Sequence, residues 1–372
     1  MRPSPPSPFR NHLDCIKDPR RHNTRHLLHD ILMIALCALI SGADSWTHVA
    51  EYGRSKLDWF KEFLALPNGI PSHDTFGRLF AQLDPQGFHD FFTRWVRELS
   101  ESLQGKTVAI DGKTLRGSRD QANGKSAIHL VSAWASDIRL VLGQLKTADK
   151  SNEITAIPEL IKILDLREAI ITLDAMGCQK KITQTIIHAA ADYVIQVKDN
   201  QKGLHEDIAL FFQEPANGPF ETFDTVDGEH GRIETRRYFT SNEIAWLPGK
   251  DEWSGLNTVC MAVREREVNG KTSTETSYFI SSLDNQAPTL AKAIREHWGI
   301  ENGLHWCLDI AFREDHCRVR KDHAPENLAV LRHIALNLLK QEKSVKAGIK
   351  AKRLKAGWDE PYLLKVLFGS GK

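Results

Sequence analysis

Three acidic residues, far apart in the chain, sit in settings suited to holding divalent cations. Asp111 follows the apolar run Thr107-Val-Ala-Ile110 and precedes Gly112-Lys113-Thr114. Asp174 follows Ala169-Ile-Ile-Thr-Leu173 and precedes Ala175-Met-Gly-Cys178. Both read as carboxylates at the ends of buried-type strands, where side chains face the ligand crevice of an α/β sheet. Glu301 stands in a helical stretch. At about 100° per residue it shares a face with His297 and His305, whereas Glu296 lies about 140° round. Phosphodiester chemistry needs a nucleophilic oxygen, stabilised charge on the phosphoryl oxygens and help for the leaving group. Two divalent cations about 3.5–4 Å apart can supply all three. A few carboxylates on rigid elements predict a Mg²⁺ site, with Mn²⁺ able to substitute. Taken singly, the three have plainer readings: an Asp-Gly turn, a helix N-cap and a solvated helix face. Two strand-end aspartates at compatible positions weigh toward function.

Several cations near these positions are candidates for DNA phosphates. Lys113 and Arg116 follow Asp111, Lys198 ends a predicted strand, and Arg232 and Arg236, four apart in another strand, share a face. Lys340 to Lys355 is a basic stretch, either a solvated helix or a phosphate-binding one. Two other chemistries compete. His305, Cys307, His316 and Cys317 lie close in sequence, but without the spacing of a zinc finger or ribbon. Cys178 as a nucleophile has no assigned base.

The elements that must position these groups fall into blocks. Residues 1–25 are Pro-rich, then basic, and read as a DNA-contacting or mobile arm. Residues 26–103 read as all-helical: a buried helix through Ile31–Ile40, a second over Trp46–Leu64, a short helix capped by Ser72, and another opened by Asp84-Pro85. Short helix, turn and second helix resemble a helix-turn-helix as well as they resemble a plain packing domain. After Gly105 three strands with short connections can pair antiparallel, and strand–helix alternation then runs to Lys198. Helix returns at Ala287. The pattern predicts an α/β fold: a ribonuclease H-like catalytic domain over 104–202 and 286–340, a β-rich insertion over 203–285, and a basic C-terminal tail over 341–372. Gly299 and Gly303 weaken the Glu301 helix and predict close approach of another backbone or of DNA.

The bulk numbers bound the function. The chain has 372 residues, 41% hydrophobic and 26% charged, which allows two or three domains with a sizeable core. Net charge is only +1, so any nucleic-acid surface has to come from local clustering. The six cysteines form no C-x-x-C pair, and the first residues lack the apolar core of a signal peptide. These features, with no apolar run long enough to span a bilayer, predict a cytoplasmic protein without a membrane partner.

The chain resembles D-D-E transposases of bacterial insertion sequences, in particular the ISAs-type group that includes the H-repeat-associated proteins of Rhs elements. The resemblance covers nearly the whole chain. It is carried by Asp18-Pro-Arg-Arg21, Pro71-Ser-His-Asp-Thr-Phe-Gly-Arg78, Ala109-Ile-Asp-Gly-Lys-Thr114, Lys150-Ser-Asn-Glu153 and Thr172-Leu-Asp-Ala-Met-Gly-Cys-Gln179. Ala191-Asp-Tyr, Lys198-Asp-Asn-Gln201, His230-Gly-Arg-Ile-Glu-Thr-Arg236, His297-Trp-Gly-Ile-Glu-Asn302 and Leu304-His-Trp306 complete it. The resemblance implies Asp111, Asp174 and Glu301 as the metal-binding triad. It also implies double-stranded DNA, terminal repeats and target, as partner, and a homodimer where two ends are joined. The implied reaction is hydrolysis at the element end, then attack of the freed 3′-hydroxyl on target DNA. Related transposases carry Tyr-x2-Arg-x3-Glu-x6-Lys around the glutamate. Here those places hold Ile294, His297, Glu301 and Leu308, leaving His297 or Arg295 as candidate phosphate contacts. Two alternatives remain at this point: a decayed or domesticated transposase that only binds DNA, and a ribonuclease H-like nuclease without strand transfer.

Overall fold

The computed structural model describes residues 16–21, 24–99, 102–147, 153–229 and 232–369. The Pro-rich start 1–15, Lys150-Ser-Asn152 and His230-Gly231 lie outside the described residues.

The N-terminal region is helical. Helix α1 (Leu28–Ile40) is buried at every position from Asp30 onward, as expected of a helix apolar all round. The single helix predicted over Trp46–Leu64 is two: α2 (Trp46–Ser55) and α3 (Leu57–Phe60), broken at Lys56. The break lets Trp59 and Phe60 join Tyr52 and Phe63 in an aromatic cluster. Ser72 caps α4 (His73–Gln82), its Oγ accepting from the Thr75 N–H. Helix α5 (Pro85–Leu99) follows Asp84, whose carboxylate accepts from the Gly87 N–H.

The remainder is built on one mixed sheet. Strands β1 (Thr107–Leu115), β2 (Ile128–Ala135) and β3 (Leu140–Lys146) pair antiparallel. Helix α6 (Glu153–Ile163) leads to β4 (Ile170–Leu173), and α7 (Lys180–His188) to β5 (Asp192–Val197). Both strands run parallel to β1, in the order β1-β4-β5. Next come α8 (Lys202–Gln213), β6 (Glu221–Glu229), β7 (Arg232–Ser241), β8 (Thr258–Val268) and β9 (Lys271–Ser281). The stretch 203–285, read as a β-rich insertion, begins within α8; Leu204, Ile208, Phe211 and Phe212 carry the helical spacing. Strand β9 pairs antiparallel with β5, so β6–β9 extend the same nine-stranded sheet.

Helices α9 (Ala287–His297), α10 (Trp306–Phe312) and α11 (Ala324–Gln341) follow, then α12 (Ile349–Trp358) and α13 (Glu360–Phe368). The main hydrophobic core runs from the N-terminal helices to α13, with a smaller cluster between the sheet and α9 and another at Leu115, Leu130 and Ala329. The basic stretch at the C-terminus is therefore not simply a solvated or phosphate-binding tail. Lys352 and Arg353 are buried. The Arg353 guanidinium donates to the carbonyls of Leu39, Ala43 and Ala311 and lies 4.2 Å over the Phe312 ring. A buried cation needs such acceptors, and they tie α12 to α1 and α10.

The glycines beside Glu301 make close approach to the chain itself. A Cβ at Gly303 would lie 2.9 Å from the buried Trp134 ring of β2, and one at Gly299 would lie 2.9 Å from Ser136 Oγ. Gly303→Ala should cost about 1–3 kcal/mol through overpacking. Thermal unfolding should register this as a drop of roughly 2–4 °C per kcal/mol. An unchanged midpoint would mean Trp134 can move aside.

Candidate metal centre

Register brings the two aspartates together. The parallel β1–β4 ladder ends at Ile110 opposite Leu173, so Asp111 and Asp174 are the next residue on each strand. Neighbouring strands lie about 4.8 Å apart. Asp174 stands at the end of β4, as predicted. Asp111 does not stand at the end of β1, which continues against β2 to Leu115; it marks the end of the parallel pairing.

Glu301 reaches the same place from α9. Between α9 and α10 the chain forms a π-helical turn over Glu301–His305, in which the Trp306 N–H donates to the Glu301 carbonyl. Such turns are frequent at functional sites. His305 is buried, with Nδ1 3.2 Å from Glu301 Oε2 and 3.6 Å from Asp111 Oδ2. One ligand atom each from Asp111, Glu301 and His305 lies within 4.8 Å of the others. Among the described residues, Cys307, His316 and Cys317 join no such group, which removes support for a zinc quartet. Burial pushes the Cys178 thiol up to about 12, which disfavours a nucleophilic thiolate.

Asp111, Asp174 and Glu301 all line one cavity of about 520 Å³, together with Lys198, Arg232, Arg236 and His297. Arg295 and Trp298 line it too, as does Arg264, which no sequence motif had marked. Arg236 is buried and clamped by Glu234 and Asp227, so its charge is already used within the protein. Arg295 also approaches Asp227, at 3.8 Å. His297 donates or accepts at Nδ1 with Thr172 Oγ1, 3.0 Å away.

Two of the predicted phosphate contacts are elsewhere. Lys113 is turned into the protein, its Nζ 2.5 Å from Asp309 and 3.0 Å from the buried Glu314. Burial opposes its charge, but these carboxylates outweigh that and raise its pKa. Lys113 thus ties β1 to the α10 region instead of meeting phosphate. Arg116 is exposed outside the cavity, 3.5 Å from Asp315.

The acidic centre is electrostatically unsatisfied. Burial pushes the Asp111 carboxyl up to about 7; the Gly112 N–H opposes this, and Glu153, Asp174 and Glu301 add to it. Burial, then Glu153, also raise Asp174, against N–H donation from Gly177 and Met176. Burial lowers both His297, to about 4, and His305. A half-buried oxygen cluster with a neutral imidazole beside it fits divalent cations of the Mg²⁺ or Mn²⁺ kind.

Comparison with known proteins gives the family. Residues 103–338 match the "Transposase DDE domain" family and residues 10–96 the "DDE_Tnp_1-associated" family. The chain belongs to the DDE transposase family. It is 42% identical over 364 residues to "Putative transposase YncI" of Escherichia coli O157:H7, covering 96% of this chain and 93% of that one. It is 41% identical over 368 residues to "H repeat-associated putative transposase YhhI" of Escherichia coli strain K12, covering 97% of each. No helix among the described residues is long and apolar enough to cross a membrane.

The raised Asp111 pKa has a testable consequence. A carboxyl whose folded pKa exceeds its unfolded value favours folding most at low pH, and that contribution is lost as pH rises through the folded value. With a chelator present, Asp111→Asn should therefore be more stable than the parent at pH 8, by roughly 2–5 °C. The gain should shrink toward pH 4. Thermal melts across pH check this, and a pH-independent difference would reject the assignment.

Proposed function

We propose that this chain cuts DNA at the ends of a mobile element and joins the cut strand to target DNA. In this reading Asp111, Asp174 and Glu301, on a ribonuclease H-like core, hold Mg²⁺ or Mn²⁺. The observation that carries it is the end of the parallel β1–β4 pairing, where two carboxylates share a cavity with a third from the π-helical turn after α9. The bound cations supply charge stabilisation at the phosphoryl oxygens and make water a better nucleophile.

The chain's own residues supply the rest. His305 buttresses Glu301 and faces Asp111 with its Nδ1. His297, pinned by Thr172, fills the place of a phosphate-contacting arginine in related signatures and shapes the floor without adding charge. Lys198, Arg232, Arg264 and Arg295 line the cavity and receive the DNA backbone. Residues 26–103 serve as a DNA-binding region, 203–285 as the insertion carrying the basic rim, and the working assembly is a pair of chains holding two ends.

Mn²⁺-dependent cleavage of end-containing DNA tests the triad. Asp111→Ala, Asp174→Ala and Glu301→Ala should each lose about a hundred-fold or more, while still binding DNA. Full activity in any one of them would remove that residue. Joining of cut ends to a target plasmid distinguishes a transposase from a nuclease. Replacing Arg232 and Arg264 together with alanine should flatten the plot of log affinity against log salt by about 1–2 units, near 0.9 for each phosphate no longer neutralised. An unaltered slope would take these arginines off the DNA path.

A further inference from the structure

Gly112, next to Asp111, has no side chain, and the space beside it is filled. A Cβ there would lie 2.1 Å from Glu153 Oε1 and 2.5 Å from His129 Nε2. Glu153 is the first residue of α6, which packs against β1 and the turn after Asp174. Its side chain is 14% exposed and meets His129 Nε2 at 2.7 Å. The other ring nitrogen of His129 lies 2.9 Å from Thr114 Oγ1, its partner across the β1–β2 ladder. The imidazole is thus fixed at both ends, and it holds one oxygen of the Glu153 carboxylate.

This is an awkward place for a fourth negative charge. Glu153 acts on Asp111 more strongly than Asp174 or Glu301 does, and it leads the charges acting on Asp174. Among the described residues its one ion-pair partner is His129. A carboxylate that served only to pack could lie elsewhere or be an amide. A carboxylate held against Gly112, the residue next to Asp111, in a gap that any side chain at 112 would close, is placed to share a cation with it.

We propose that Glu153 is a fourth carboxylate of the centre, contacting the cation shared with Asp111 and Asp174, and that His129 orients it. This rests on the metal-centre reading above. Glu153 is then a catalytic residue in the sense that it touches the ion, and His129 a positioning residue. Gly112 is required because an alanine would displace the carboxylate.

The test uses the full chain and Mn²⁺ alone, with binding followed by electron paramagnetic resonance of the free ion. Glu153→Gln should bind Mn²⁺ about ten-fold or more weakly. Without metal it should unfold no earlier than the parent, because a repelling charge is gone. The rise in unfolding temperature that Mn²⁺ gives the parent should shrink. His129→Gln should weaken Mn²⁺ less than Glu153→Gln, and together the two changes should cost no more than Glu153→Gln alone. If Glu153→Gln lowers stability without metal, Glu153→Asp decides: it keeps the charge but withdraws it, and weaker Mn²⁺ binding supports the proposal. Parent-like binding by Glu153→Gln or Glu153→Asp, while Asp174→Asn loses it, overturns the proposal alone. Parent-like binding by Asp111→Asn and Asp174→Asn would instead overturn the triad on which it rests.

Discussion

Repulsion between carboxylates that the backbone forces together is the constraint on which this fold turns. The register of β1 against β4 sets Asp111 beside Asp174. A slip of one residue would put the two side chains on opposite faces of the sheet. The ladder itself holds the register: β1 is paired on both sides, antiparallel to β2 through Leu115 and parallel to β4 through Ile110. Backbone hydrogen bonds and a core of Val108, Ile110, Ile171 and Leu173 thus keep together what charge would separate. Burial first, and the neighbouring carboxylates after it, push the Asp111 carboxyl up to about 7.

The third acid is fixed by a different device. Glu301 is exposed, but its backbone is held because Gly299 and Gly303 close onto Ser136 and Trp134 of β2. The π-helical turn places Glu301 and His305 where both approach Asp111. Beneath them Lys113, Glu314 and Arg332 form a buried ionic chain from β1 to α11. Each charge in it has an opposite partner, which is the condition for tolerating buried ions. The carboxylates above have no such partners among the described residues apart from imidazoles. That contrast separates charges that support the structure from charges available to a ligand.

Much of this was legible in the sequence because it depends on local pattern. Apolar runs marked β1 and β4, and the Ser72 and Asp84 caps marked the helices they precede. What local pattern cannot reveal is the partner of each charge. Lys113 looked like a phosphate contact because it follows Asp111 closely, yet Asp309 and Glu314, nearly two hundred residues on, claim it. Arg353 lies in a basic stretch that reads as either solvated or phosphate-binding, yet the carbonyls of Leu39, Ala43 and Ala311 take it up. Glycines 299 and 303 did announce close approach, but not that a tryptophan makes it. Glu153 was marked only as the end of the Lys150-Ser-Asn-Glu153 motif and without a role, since nothing local to α6 places it against Gly112. The helix α8 was missed although its apolar spacing was present.

The sheet's continuity bears on how charge is distributed. A net charge of +1 conceals an acidic centre at β1–β4 and arginines on β7 and β8 that line the same cavity. Had β6–β9 formed a separate body on a linker, the two could drift apart. Instead β9 bonds to β5 from Val194 to Val197, and β8 to β9 along the length of both. The distance from arginine rim to carboxylates is therefore set by strand spacing and sheet twist. On the proposed reading, a phosphate backbone lying along that rim would meet the acidic centre without a hinge motion. Its negative charge and that of the carboxylates could share the cavity only with cations between them, so substrate and metal would bind as one electrostatic unit.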